Sequence, residues 1–194
     1  MSWYRNLSRR EFIQLAAAAA AAGGTVSCSG GRNPWRFLRV GEARTLAAIC
    51  DRLIPPDTEP GADWARVVNF IDVQLCGPYR DLRTAYRQGI ACIDEMARAQ
   101  SGKAFAELTV DQQVAILTAL EKGEAPKDIW RTASPSPFFE MLLNHTMQGF
   151  YGDPRHGGNW GRASWKMVGL TYPPVRGQLH YDAKSNAPLK GEGS

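Results

Sequence analysis

The sequence predicts an all-α body, a compact bundle of five or six helices that ends in a loop rich in glycine and aromatic residues. Three observations lead there. Apolar side chains recur every three or four residues from about residue 41 to residue 149, proline and glycine break those runs at intervals suited to short connections, and no alternating apolar–polar run is long enough for a useful strand. With 44% hydrophobic and 22% charged residues in a chain of 194, the composition is that of one globular domain and excludes a disordered, collagen-like or disulfide-framework protein.

Each element has its own reason. Over 41–54, Leu46, Ile49, Cys50, Leu53 and Ile54 line one face, and Pro55-Pro56 stops the helix because proline lacks an amide donor and restricts the residue before it. Asp57 to Gly61 makes a turn-rich connection. A second helix is expected from Ala62 or Asp63, with Trp64, Val67, Val68, Ile71 and Leu75 inward, until Gly77-Pro78. A third runs from about 79 to 99 through Leu82, Tyr86, Ile90, Ile93 and Met96. Thr109-Val110-Asp111-Gln112 fits a capping box, in which the threonine hydroxyl accepts the third helical amide and the glutamine reaches back. The helix that follows uses Val114, Leu117 and Leu120 and ends at Gly123. After a connection over 124–135, Ser136 is expected to cap a fifth helix with Pro137 at its first position, and Phe138, Met141, Leu142, His145 and Gly149 mark its inner face.

Beyond that helix the character changes. Gly149, Gly152, Gly157, Gly158 and Gly161 bracket Phe150, Tyr151 and Trp160, and because glycine loses much conformational freedom on folding, something must specify this segment. The helical domain is placed at 31–176, and the polar residues 177–194 read as a flexible tail.

Residues 1–30 read as an export signal. Arg9 and Arg10 precede an apolar stretch from Phe12 to Ala22, which includes the alanine run Ala16 to Ala22, and small residues follow. That stretch is far short of the roughly 20 residues that span a bilayer. The order Arg9, Arg10, Phe12 resembles the twin-arginine signal, an address for cargo that folds before export, and predicts a periplasmic protein. Cys28, just after the apolar stretch, is the candidate for lipidation and membrane association. The whole chain has 23 Lys plus Arg against 19 Asp plus Glu, but outside residues 1–27 the balance is 20 to 18, which removes the electrostatic basis for nucleic-acid binding. Cys50, Cys76 and Cys92 form no C-x-x-C motif; an oxidising compartment permits a bond between two of them, and the alternative is that they are small buried hydrophobes.

Three blocks carry a resemblance: the twin-arginine start; Asp51-Arg52-Leu53-Ile54-Pro55 with Pro60-Gly61-Ala62 and Phe70-Ile71-Asp72; and Gly149-Phe150 through Asp153-Pro154, Gly157-Gly158-Asn159, Trp165 and Gly169. Over roughly residues 41–170 the chain resembles the gluconate 2-dehydrogenase subunit 3 family, although His156 stands where an aromatic such as tyrosine is common. The resemblance implies a non-catalytic small subunit. Its partner would be a large subunit of the glucose-methanol-choline type that holds FAD and oxidises a sugar or sugar acid, with a haem-bearing cytochrome c subunit in some complexes. The small subunit would supply the export signal, so that the twin-arginine translocase carries the large one across already folded with its cofactor. In keeping with that, the chain has no G-x-G-x-x-G dinucleotide loop and no C-x-x-C-H haem motif, and no cofactor, catalytic residue or metal ligand is expected on it.

The residues expected to bind the partner are Phe150, Tyr151, Asp153, Arg155, Gly157, Gly158, Asn159, Trp160 and Arg162. Interfaces concentrate energy in Trp, Tyr and Arg, and glycine permits close backbone approach. Trp165 is expected inside, and Phe150 or Tyr151 outside; core packing is the competing account of all these aromatics. Two other functions stay open on the sequence: a stand-alone periplasmic enzyme or binding protein using His145, Asp153 and His156, and an exported module with a different partner. The first lacks both the H-E-x-x-H pair of a metal site and the G-x-S-x-G of a nucleophile elbow. His145 falls on an apolar helix face, and Asp153 before Pro154 most simply starts a turn.

Overall fold

The computed structural model describes residues 33–170; Arg9, Arg10, Phe12 and Cys28 of the expected export segment, and the expected tail 177–194, lie outside the described residues. Within the described residues there are six α-helices and no strand: α1 (Val40–Leu53), α2 (Val67–Leu75), α3 (Arg83–Ser101), α4 (Val110–Glu121), α5 (Pro135–Tyr151) and α6 (Ala163–Met167). Single 3₁₀ turns stand at Arg80–Leu82, Phe105–Glu107, Pro154–His156 and Trp160–Arg162. The all-α expectation holds, and the sixth helix falls in the segment that the sequence reads as loop.

Helix α1 lies against α2, α3, α4 and α5 and buries Leu46, Ile49 and Cys50 among them. Polar ties fix what apolar packing alone would leave free to slide. Thr45 Oγ1 donates to Asp94 Oδ1 of α3 at 3.0 Å, and the same oxygen accepts the Phe105 amide at 3.1 Å, so one carboxylate joins α1, α3 and the 105–107 turn. The buried Asp72 of α2 accepts the amides of Arg36, Phe37 and Leu38 at 2.7, 3.0 and 2.9 Å. Those charge-assisted bonds dock the segment that leads into α1, and they give the Phe70-Ile71-Asp72 block a structural purpose.

Helix α5 closes the bundle against α2 and α4. Gly89 of α3 lets it approach, since a Cβ there would lie 2.2 Å from the Phe138 ring. Thr146 Oγ1 meets Cys50 Sγ at 3.4 Å, and burial pushes the Cys50 thiol up to about 12. Cys50, Cys76 and Cys92 are all free; Cys50 and Cys92 are buried, whereas Cys76 is exposed.

Several boundaries differ from the sequence reading. Helix α2 starts at Val67 and not at Ala62 or Asp63, because Arg66 adopts the left-handed conformation (φ 57°, ψ 39°) and 62–66 forms a turn. Trp64, expected inward, is consequently 49% exposed. Val114 is exposed too, the inner face of α4 being Gln113, Ile116, Leu117 and Leu120. The Ser-Pro-Ser-Pro repeat at the start of α5 is used one step earlier than expected: Ser134 precedes Pro135 at the first turn, while the Ser136 hydroxyl contacts the Leu120 and Glu121 carbonyls at 3.1 and 3.2 Å and satisfies the end of α4. The threonine cap of α4 forms as expected, with Thr109 Oγ1 accepting the Gln112 amide.

Candidate partner-docking site

Two connections converge on one face of the bundle, the 54–66 turn and the glycine-aromatic segment 152–163. The first folds back on Pro55-Pro56 and needs Gly61 to do so, as a Cβ there would sit 2.5 Å from the Pro56 nitrogen. The Asp63 amide donates to Asp51 Oδ1 at 3.1 Å and holds the turn to α1.

The second connection is organised by Asn159, wholly buried and left-handed (φ 44°, ψ 43°). Its amide donates to the Gly149 carbonyl at 2.8 Å, its Nδ2 to the Gly152 carbonyl at 2.9 Å, and its Oδ1 accepts the Ser164 amide at 3.1 Å. Asparagine tolerates this backbone conformation and replaces the bonds that a regular element would make. Gly158 beside it is sterically required: a Cβ would lie 2.2 Å from the Gly149 oxygen. Gly157 is left-handed, and its carbonyl accepts Asn69 Nδ2 of α2 at 2.7 Å. Ser164 Oγ donates to the Phe150 carbonyl at 2.7 Å and Trp165 Nε1 to the Tyr151 carbonyl at 2.9 Å, which ties α6 to the end of α5.

The two connections then lock together. The Trp160 amide donates to the Ala65 carbonyl at 3.1 Å, the Arg66 guanidinium lies 3.5 Å above the Trp160 ring, and Trp64 covers Gly161 so closely that a Cβ there would be 2.6 Å from its ring. Trp160, 51% exposed, and Trp64 thus stand on the surface, with Arg66 against Trp160. Arg66, Asn159 and Arg162 are the non-glycine residues with positive φ among the described residues, and all three lie in this assembly. Such backbone strain persists where the surroundings over-determine it, and it concentrates at binding sites.

Clefts flank the face. One of about 410 Å³ is lined by Asp51, Asp57, Glu59, Asp63 and Trp64, and a second of about 320 Å³ by Trp35, Asp63, Arg66 and Asn69. Burial, with the neighbouring Asp63 charge adding to it, holds the Asp51 carboxyl above its ordinary value in spite of the Asp63 amide and Arg52.

The expected binding residues therefore divide. Tyr151, Arg155, Trp160 and Arg162 are exposed; Phe150, Gly158 and Asn159 are buried and act as the frame. Phe150 is only 1% exposed and packs edge-on against Tyr151, so of that pair it is Tyr151 that faces outward. Gly157 is half-buried. Asp153 caps the 154–156 turn by accepting the Arg155 amide at 3.0 Å and forms an ion pair with the Arg155 side chain. Trp165 is buried, as expected. Trp64 and Arg66 are what the sequence reading missed; their residue types, Trp and Arg close to the Pro60-Gly61 turn, were the available signal.

His145, Asp153 and His156 form no metal-holding group. Tyr86 Oη and His145 Nδ1 are 2.8 Å apart, the imidazole stacks on Tyr79 with centroids 4.3 Å apart, and burial lowers its pKa. His156 is exposed beside a recess lined by Phe70, Gln74, Tyr79 and Gln148. Among the described residues no group of three or more His, Cys, Asp or Glu is placed to hold a metal ion.

The sequence pattern of gluconate 2-dehydrogenase subunit 3 matches residues 41–171, about two thirds of the chain, and spans both connections and every helix but the first residue of α1. The chain belongs to the gluconate 2-dehydrogenase subunit 3 family. No curated protein and no solved structure matches it. The glycine-aromatic segment meets Trp64, Ala65 and Arg66, which follow the Asp51 to Ala62 block and lie far from that segment along the chain.

Proposed function

We propose that this chain is a non-catalytic small subunit that binds, helps mature and co-exports through the twin-arginine pathway an FAD-dependent sugar or sugar-acid dehydrogenase of the glucose-methanol-choline type. The observation that carries the reading is the surface formed by Trp64, Arg66 and Trp160, held in place by a frame of buried hydrogen bonds and strained residues. Exposed tryptophan and arginine on a rigid support are the usual anchors of a protein–protein interface, and ordering them before binding reduces the entropy lost on association. In this reading FAD belongs to the large subunit, a cytochrome c subunit with haem is the further candidate partner, and the complex works in the periplasm. The export address is Arg9-Arg10 with Phe12, and a lipid on Cys28 is the candidate link to the membrane.

Trp160→Ala and Arg66→Ala test the interface directly. Each is expected to lower co-purification of the flavoprotein at least about tenfold, as loss of an interface anchor does, while the helical circular-dichroism signal stays unchanged. Full co-purification by both folded variants would remove this face from the account. Replacing Arg9 and Arg10 by lysine is expected to leave both subunits in the cytoplasm; undiminished periplasmic dehydrogenase activity would eliminate the co-export role.

A further inference from the structure

A recess of about 300 Å³ opens between α2, Tyr79 and the end of α5, lined by Phe70, Gln74, Tyr79, Gln148, Gly152 and His156. Its walls are fixed by contacts behind them. Tyr79 stacks on the buried His145, and its hydroxyl donates to Gln148 Oε1. The Phe70 ring stands edge-on to Tyr79, and Phe70 also packs against the frame of the glycine-aromatic segment, since a Cβ on Gly158 would lie 3.0 Å from the Cβ of Phe70. Gly152 and His156 belong to that segment, so one connection borders both the recess and the Trp160 surface.

Gln74 is the residue that packing alone does not account for. It is only 9% exposed, and its carboxamide lines the recess without making a hydrogen bond among the described residues. Buried polar side chains are nearly always paired, because an unpaired one costs stability, and an apolar side chain of the same length would fill the position without that cost. The amide therefore points to an occupant of the recess. None of the six lining residues is an acid, a lysine or an arginine, so a charged group entering would lose its hydration with no opposite charge to replace it. A carboxamide sets a donor and an acceptor side by side in one plane. A residue of extended chain presents its own N–H and C=O side by side as well, as in the hydrogen-bonded pairs of antiparallel strands, whereas a helix uses those groups internally. We infer, on the basis of the docking role proposed above, that the recess binds an extended, uncharged stretch of the large subunit. The N–H and C=O of one residue would pair with the Gln74 amide, and an apolar side chain would lie against Phe70 and Tyr79.

The test uses the full chain, tagged and expressed with its neighbouring genes. Gln74→Met keeps the length of the side chain and removes both polar atoms. Because the Gln74 amide makes no bond inside the chain, the melting temperature of the variant should hold or rise. The flavoprotein, in contrast, should leave the immobilised variant at least about fivefold faster than the natural chain, as loss of a buried pair of hydrogen bonds implies. In a second arm, His156 at the rim is replaced by a photoreactive phenylalanine derivative, and the attached peptide is sequenced by mass spectrometry. The expected adduct is a stretch of the flavoprotein whose attached residue and immediate neighbours are uncharged. Equal retention by Gln74→Met and the natural chain overturns the inference and leaves the docking role standing. The same holds for a charged peptide, for an adduct with a second copy or with residues 171–194 of the chain itself, and for no adduct at all. If no flavoprotein accompanies the natural chain, the docking role and the inference fall together. Should Gln74→Met lower the melting temperature, the adduct from position 156 decides alone: an uncharged stretch of the flavoprotein sustains the inference, and any other result overturns it.

Discussion

Asn159 and Gly158 show how single positions decide a surface. Neither faces solvent, yet the carbonyls of Gly149 and Gly152 and the amide of Ser164 depend on the asparagine, and the path of the chain past Gly149 depends on the glycine. Gly158→Ala, with a methyl group driven into a carbonyl oxygen, should cost about 2–4 kcal/mol in urea unfolding and disturb the Trp160 face with it. Trp165→Ala removes a buried ring that also donates to the Tyr151 carbonyl, and should cost about 3–5 kcal/mol. His145 makes a prediction with a defined sign. Because burial lowers its folded-state pKa, the unfolded chain binds a proton more readily, so stability is full above about pH 6.5 and declines as pH falls through that value toward the folded pKa. Denaturation midpoints measured across that range should show the decline, and His145→Gln should flatten part of it. Thiol labelling gives an independent check: in the native protein Cys76 reacts with an alkylating reagent, while Cys50 and Cys92 react only on unfolding.

Among the elements, what could be read from the sequence depended on whether the determinant was local. The α4 cap and the inner faces of α1, α3 and α5 are set by residues within a turn or two, and they form as the sequence predicts. The start of α2 does not, because Trp64, Val67, Val68 and Ile71 keep helical spacing while Arg66 turns left-handed, a conformation that sequence marks only when glycine or asparagine supplies it. The start of α5 was ambiguous for another reason: two Ser-Pro pairs fit the first turn equally, and the choice falls to Ser136 bonding the end of α4, a contact across fifteen or sixteen residues. In the sequence Asp72 stands out only as part of a motif; its role as acceptor for three amides more than thirty residues away is a tertiary fact. Asp72→Ala leaves those amides without their acceptor and should lower stability by roughly 2–4 kcal/mol, read by chemical denaturation, with the segment before α1 the first to exchange its amide protons.

In the molecule as a whole, the candidate docking site was half legible. The glycine-aromatic segment announced itself by composition, but its partner loop did not, since no periodicity tells that residues 61–66 and 157–163 share a surface. The family supplies the context in which that surface makes sense, and the chemistry expected of this chain is recognition. One measurement tests that claim most directly. The tagged chain is expressed with its neighbouring genes and recovered from periplasmic extract, as the natural sequence and as Arg66→Ala/Trp160→Ala, and the visible spectrum of each eluate is recorded. The account predicts a flavin-containing large protein with the natural chain and its loss from the folded double variant. A colourless natural chain that elutes alone, or a flavoprotein retained in full by the variant, would contradict it.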